Sequence, residues 1–483
     1  MAGLGKMPSE IILEICSHLQ INVASKIILS KRDTDKNVHA AIHKERRHLF
    51  SLSRINRRFY AIVSPLTFKF VSIHGANPLR KLMTFLRAVE GNGSVQASVR
   101  QFYLHFNERD RATYPGPLAD EDLELIIAVA KKMGINVWRA SPKYPHYFGV
   151  IHPVLVADDA IDDLSQAMSE LGINDDGFGP RQRRRRTIVD DLRDLKAARV
   201  VLTAYITLLR LSHLEEVTLS VTPAAATWLA SIIRVFHTAT CPSVKFLLLR
   251  DSQVGAPGKV AQESFFRDMS SVDANRLLSF KPNLDELYLQ RLILDDSVSA
   301  ANVTSLVLHD MELPQQSLIN TLTSAHNLVK FVYVHTKHHE TLRGLTASDL
   351  FTALISRASN MDTIIIDFRF RSLDHASQPP ISNIKRFTAL ENLWLKIAYP
   401  MQNESDPNNF IRTLPRSIKR LHLDGGLFVV EDDLKWLSDH YNTGGMPNLE
   451  EIAFGWLFRD GPLGRKWKEQ GMGVEEIDDY TTW

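Results

Sequence analysis

One stretch, "HTKHHE", brings His335, His338, His339 and Glu340 together within six residues. Such side chains ligate metals when histidines recur at helical i,i+4 or alternating strand spacing and a further ligand arrives from elsewhere. Here they follow directly on the apolar run "KFVYV", where a strand should end, and the pattern is that of a polar loop. His39 and His43 do stand at i,i+4, but no HExxH glutamate lies between them, so no metal is expected at either place. The run "RQRRRR", Arg181 to Arg186, has the chemistry for bidentate phosphate contacts or for a nuclear-localisation signal. Asp190, Asp191 and Asp194 follow closely and partly neutralise it, so it reads as a solvated loop. There is no GxSxG elbow, no Walker-type glycine loop and no Rossmann fingerprint, and "GNGS" at Gly91–Ser94 is turn chemistry. No catalytic residue and no cofactor is assigned, and the chain is not expected to be an enzyme.

The bulk composition excludes several classes. Hydrophobic residues make up 44% of 483, enough for a real core, and charged residues 23%, near the globular average of about 25%. The balance of 57 basic against 55 acidic residues gives +2, so the chain as a whole is not marked for nucleic acid or a membrane surface. Cys16 and Cys241 are the only cysteines and neither sits in a CxxC pair, which argues against a disulfide scaffold or a thiolate zinc site. No apolar run reaches the roughly 20 residues of a membrane span, and no basic start precedes an apolar run as in a secretory leader. A soluble protein of a reducing compartment, cytoplasmic or nuclear, is expected.

The elements that must position any functional side chain begin with "MPSEIILEICSHL". Pro8 suits an entry turn, Ser9 an N-cap, and Glu10 places negative charge at the positive end of a helix. Ile11, Ile15 and Leu19 recur as one stripe, widened by Ile12 and Cys16. About three turns are too few to stand alone in water. Downstream, "LFSLSRINRRFYAIVSPLTFKFVSI" puts Leu49, Leu52, Ile55, Phe59 and Ile62 on one helical face, with Arg54, Arg57 and Arg58 off it. Pro65 is expected to end that helix, and "LTFKFVSI" to leave as a strand or extended exit.

These two blocks resemble the F-box, in the version common in fungal F-box proteins. The first resembles the family's Leu-Pro-x-Glu-Ile opening, with Met7 for the leucine, then Pro8, Glu10, Ile11, Ile15 and Leu19. The second resembles its closing stretch through Arg57, Arg58, Phe59, Tyr60, Pro65 and Phe68. The family joins the blocks by a few residues, whereas an insertion around 21–48 separates them here. The resemblance implies a three-helix module that docks on the Skp-family adaptor of SCF (cullin–RING) ubiquitin ligases. Pro8, Ile11, Ile15, Leu19, Leu49, Leu52, Ile55 and Phe59 are the adaptor-facing candidates, some of which must instead form the module's own core. The alternative is a helical hairpin capping the next domain.

The rest of the chain repeats a phrase. "SVRQFYLHF", "SHLEEVTLS", "CPSVKFLLLR", "KPNLDELYLQ", "ANVTSLVLH", "HNLVKFVYV", "NMDTIIIDF", "TALENLWLK", "RSIKRLHLD" and "MPNLEEIAF" share an apolar-x-x-apolar-x-apolar core. Several carry Asn or Pro-Asn just before the first apolar residue, as at Pro282-Asn283-Leu284, Asn327-Leu328 and Pro447-Asn448-Leu449. Helix-like stretches such as "TPAAATWLASIIRVFHT", "LPQQSLINTLTS", "TASDLFTALISRAS" and "VEDDLKWLSDHY" lie between copies. The pattern resembles leucine-rich repeats, with a strand lining a concave face and a helix returning behind it. The spacing is loose and the family's later asparagine stands only at Asn107, so the turns should be irregular.

The fold expected is α/β: an N-terminal three-helix F-box at 1–75, an irregular leucine-rich-repeat-like solenoid at 76–456, and a C-terminal cap or tail at 457–483. A helical and mobile insertion is expected around 119–211. The function implied is that of the substrate-recognition subunit of an SCF ubiquitin ligase, joined through the adaptor to cullin and RING protein. The repeat domain would hold a protein target on its concave face, through Tyr288, Gln290, Trp394, Lys396, His422 and Asp424, with a structural role packing between neighbouring strands the equal alternative for Trp394. No membrane and no nucleic-acid partner is expected. The alternatives are an F-box protein in a non-ligase complex, or a repeat scaffold whose N-terminal helices only cap it.

Overall fold

The computed structural model describes residues 7–18, 47–75, 77–106, 120–133, 188–222 with 225, 226, 229, 230, 232 and 233, 241–251, 271–279, 281, 283–335, 345–368, 381, 383–396, 411–424, 431–454, 465, 469, 473 and 474. The chain forms two compact units, Met1–Asn283 and Leu284–Trp483.

In the first unit, helices Ser9–His18, 47–53 and Arg57–Phe68 precede strand β1 (Phe70–Ile73). Strands β2 (Gln101–His105), β3 (Glu216–Val221) and β4 (Phe246–Asp251) follow, all parallel and adjacent in chain order. Parallel neighbours need crossover connections, and helices Pro78–Gly91 and Gly93–Ser98 supply the first, with Asp120–Lys132 and Ile188–Arg210 in the second. Pro78 opens its helix at the position where a missing N–H costs nothing. The register stacks Leu104, Leu219 and Leu249 in one row and Phe102, Val217 and Leu247 in the next, all buried. Three helices are tied at Glu90, which accepts from Lys132 Nζ at 2.9 Å and from Arg210 Nε. Burial alone would push the Glu90 carboxyl up, but the hydrogen bonds and charges of Lys132 and Arg210 outweigh it and hold it below the usual carboxylate range.

The second unit is a parallel open sheet of eight strands in chain order: β5 (Glu286–Gln290), β6 (Ser305–His309), β7 (Lys330–Val334), β8 (Thr363–Asp367), β9 (Asn392–Lys396), β10 (Arg420–Asp424), β11 (Glu451–Phe454) and β12 (Gly473–Val474). Helices Gln315–Ser324, Ala347–Leu354 and Glu431–Asn442 stand where the helix-like stretches predict them. The Ala347–Leu354 helix starts on a capping box, Thr346 and Asp349 each accepting from the other's backbone N–H. The α/β class is therefore observed, and all ten copies of the apolar phrase are strands. Each strand begins two residues past its first apolar residue, as Glu286 follows Leu284 and Thr363 follows Met361.

The turn before most of these strands has a recurrent chemistry. The N–H of the first apolar residue donates to the carbonyl three residues earlier, as from Val244 to Cys241, Leu328 to Ala325 and Leu449 to Met446. The preceding asparagine then reaches across. Asn283 Nδ2 donates to the Pro242 carbonyl at 3.0 Å, Asn448 Nδ2 to Arg416 at 3.1 Å and Asn327 Nδ2 to Ala301 at 3.5 Å. In every case the acceptor stands two residues before the first apolar residue of the previous copy.

Two expectations need correction. Pro65 does not end its helix: Arg57–Phe68 runs through it. The carbonyl a proline disrupts four residues back belongs to Ala61, which is exposed, so water can take the lost partner's place. Leu49 to Ile62 is likewise not one helix, because Asn56 caps a new one, its Oδ1 accepting from Phe59 N at 2.9 Å. Beyond Trp456, in the stretch expected as a cap or tail, Gly473–Val474 adds a strand that pairs with β11.

Candidate functional site

The N-terminal helices form a small core of their own. Ile12 and Cys16 from Ser9–His18 meet Leu49 from 47–53 and Phe59 and Val63 from Arg57–Phe68, and Met7, Leu52, Ile62 and Leu66 close the edges. Burial among these apolar groups pushes the Cys16 thiol up, so it stays protonated. The Pro8 carbonyl accepts the first helical bond from Ile12 N, so Ser9 is already inside the helix and does not cap it. Its Oγ accepts instead from Arg58 Nη2 at 3.0 Å, fastening the two helices.

The outside of this cluster carries exposed apolar side chains. Ile12 is 1% exposed, while its neighbours Ile11, Leu13 and Ile15 are 48%, 46% and 41% exposed. Phe50, Ile55 and Tyr60 are exposed beside them in sequence blocks that share the core. Seven large hydrophobic side chains are exposed among the described residues, and six are these; the seventh is Val272. Scattered exposed apolar groups are ordinary, but six concentrated on three short helices and the turn joining two of them make a candidate interaction surface.

The structure thus divides the eight adaptor-facing candidates. Pro8, Ile11, Ile15 and Ile55 are exposed, Leu49 and Phe59 are buried in the cluster's core, and Leu52 is half-buried. Leu19 lies outside the described residues, as do His39, His43 and the insertion over 21–46. Sequence reasoning missed Leu13, Phe50 and Tyr60. Their signal was available: each is a large apolar residue lying off the stripe that packs.

The six target-facing candidates are placed differently from the expectation of an open concave face. Tyr288, Val307, Val332, Ile365, Trp394 and His422 form one register row across β5 to β10. Val307, Val332, Ile365 and Trp394 pack as a buried cluster with Tyr288 against it. Trp394 is fully buried, His422 and Gln290 are buried, and Tyr288 and Lys396 keep partial exposure. The Asp424 side chain lies outside the described residues. The row is covered because strands in a parallel sheet carry apolar residues on both faces, as Thr363–Asp367 shows with all five residues buried. A polar row flanks it on one side: Asn392 Nδ2 donates to Thr363 Oγ1 at 2.9 Å, and Arg420 Nε to Asn392 Oδ1 at 2.7 Å.

His335 is buried at the end of β7, where its backbone N–H donates to the Asp367 carbonyl at 2.8 Å. His338, His339, Glu340 and Arg181 to Arg186 lie outside the described residues. Among the described residues, no three His, Cys, Asp or Glu side chains converge as a metal site requires, and no helix is long and apolar enough to cross a membrane. Neither cysteine forms a disulfide. No protein-family model matches the chain, and no curated protein does.

Proposed function

We propose that this chain is the substrate-recognition subunit of an SCF ubiquitin ligase. Its N-terminal helices dock on the Skp-family adaptor as an F-box, and its repeat-like sheet units hold the protein target. The observation that supports this reading is the concentration of exposed Ile11, Leu13, Ile15, Phe50, Ile55 and Tyr60 on one module. These side chains are about half-covered already, so a partner groove that finishes their burial gains about 1 kcal/mol from each. Short helices with a second oily face are what helix-in-groove recognition uses. A receptor of this kind carries no nucleophile: it raises the effective concentration of its target near partners that perform the transfer.

The test is co-expression with the Skp-family adaptor and cullin, followed by size-exclusion chromatography, beside an Ile11→Asp/Ile15→Asp variant. Co-elution of all three, lost in the variant, is expected. A monodisperse protein that ignores the adaptor would remove the F-box assignment.

A further inference from the structure

Charge is sorted by sign across the N-terminal module. Residues 47–68 carry Arg47, Arg54, Arg57 and Arg58 and neither aspartate nor glutamate, in a chain whose 57 basic and 55 acidic residues nearly balance. The Ser9–His18 helix is the reverse, with Glu10 and Glu14 and no lysine or arginine. All of these charged side chains are exposed. Arg58 is engaged, its Nη2 donating to Ser9 Oγ at 3.0 Å. Arg47, Arg54 and Arg57 make no ion pair among the described residues.

Each of those three stands beside an exposed apolar side chain. Arg47 precedes Phe50, and Arg57 precedes Tyr60, by three residues on one helix, a spacing that makes surface neighbours. Arg54 adjoins Ile55 in the turn between the two helices. Helix stability does not account for the arrangement. Arg57 occupies the first turn of Arg57–Phe68, where the positive end of a helix disfavours a cation and where no acidic residue offsets it. That end is capped by Asn56 Oδ1 on Phe59 N, so what a partner meets is side-chain charge.

We propose that the adaptor surface receiving this module is acidic along the edge that meets residues 47–60. Its carboxylates pair with Arg47, Arg54 and Arg57 while its apolar groove covers Phe50, Ile55 and Tyr60. This rests on the docking proposed above and adds to it a partner chemistry and an orientation. A purely apolar groove would leave three guanidinium groups at its border partly desolvated and without counter-charge, which disfavours association. Carboxylates remove that penalty, and a planar guanidinium matches a carboxylate with two parallel hydrogen bonds. The opposite sign on the Ser9–His18 helix makes the surface polar from one side to the other. A partner acidic along one edge is then steered into a single orientation. Charges at such a border act on the rate of encounter more than on the lifetime of the complex.

The experiment measures association of the full chain with the Skp-family adaptor by stopped flow, at low salt and in about 1 M salt, where the screening length falls to about 3 Å. Wild type is compared with Arg54→Glu/Arg57→Glu and Arg54→Lys/Arg57→Lys, and circular dichroism checks that both variants fold. At low salt the glutamate variant should associate about tenfold more slowly or worse, with dissociation little changed. The lysine variant should stay near wild type, and the gap should close in high salt. Wild-type association should itself slow as salt rises, a readout that needs no variant. Wild-type association that ignores salt, or a glutamate variant that associates as fast as wild type or faster, overturns the acidic edge and leaves adaptor docking standing. Absence of adaptor binding at either salt removes the docking proposal and this one with it. Phosphatidylserine vesicles are the last arm. Binding to them that depends on salt and on these arginines, while adaptor association depends on neither, would assign the charge to an anionic lipid surface and overturn the proposal.

Discussion

Trp394 and His422 stack face to face as a register pair of β9 and β10, ring centroids 3.5 Å apart and planes 5° from parallel. Both rings are buried, on the side of the sheet that a leucine-rich reading assigns to a target. The stack extends the buried apolar cluster of that row, beside a polar row that hydrogen-bonds along the sheet.

Replacing Trp394 with alanine should therefore act on stability before it acts on any partner. Removing a fully buried aromatic ring costs about 3–5 kcal/mol, and Trp394→Phe should cost less. A double-mutant cycle with His422→Ala should return a coupling of about 0.5–1.5 kcal/mol, the range for paired rings. Urea denaturation of the four proteins measures both. A Trp394→Ala protein with unchanged midpoint would show that the indole packs on nothing of consequence.

On the N-terminal helices the opposite separation is expected. Ile11→Asp and Ile15→Asp change half-exposed positions and should move stability by no more than about 0.5 kcal/mol. Ile12→Ala, one residue away, empties a core position and should cost about 2–5 kcal/mol. Under the proposed function the aspartates should nevertheless weaken adaptor binding by about a hundredfold or more, because each puts an unpaired charge into an apolar contact. Thermal melts and a titration against the adaptor, run on the same three proteins, separate fold from docking.

The asparagines before the strands should each contribute measurably. Asn283, Asn327 and Asn448 donate from Nδ2 to a backbone carbonyl of the preceding copy. Substitution by aspartate keeps the shape and removes the donor, so a loss of about 0.5–1.5 kcal/mol is expected at each. Asn327, at the longest distance of the three, should lie at the low end. Equal, negligible losses in denaturant midpoints would mean these bonds only replace ones made to water.

The strands were legible because this turn chemistry and the apolar phrase point to the same boundary. Sequence placed ten strands through a turn and three apolar positions, and each position is buried wherever the structure describes it. The division of the N-terminal helices between core and exposed positions was less legible for a geometric reason. In the Ser9–His18 helix, Ile11/Ile15 and Ile12/Cys16 are both i,i+4 pairs, and either makes a plausible stripe. Only the position of Phe59 and Val63 selects the second pair for the core. Sequence left the Trp394 row open between packing and target binding, because alternation within one strand says which residues share a face, not whether that face is covered.

Lys281 gives the protein a pH dependence that a difference measurement should isolate. Its ordinary value of 10.5 in the unfolded chain falls to about 7 in the folded one. Between those limits the unfolded state binds a proton that the folded state does not, so stability rises with pH across this window. The slope approaches about 1.4 kcal/mol per pH unit once pH exceeds 7. Above about pH 9 the trend is opposed by Cys241, whose thiol is raised from 9.0 to about 12, so the unfolded state then loses a proton that the folded state keeps. The clean interval is therefore pH 7 to about 8.5. Urea unfolding of wild type against Lys281→Met across it should show the two stabilities converging as pH rises. Parallel curves would mean that the amine keeps its proton inside the fold, and with it the charge that burial should expel.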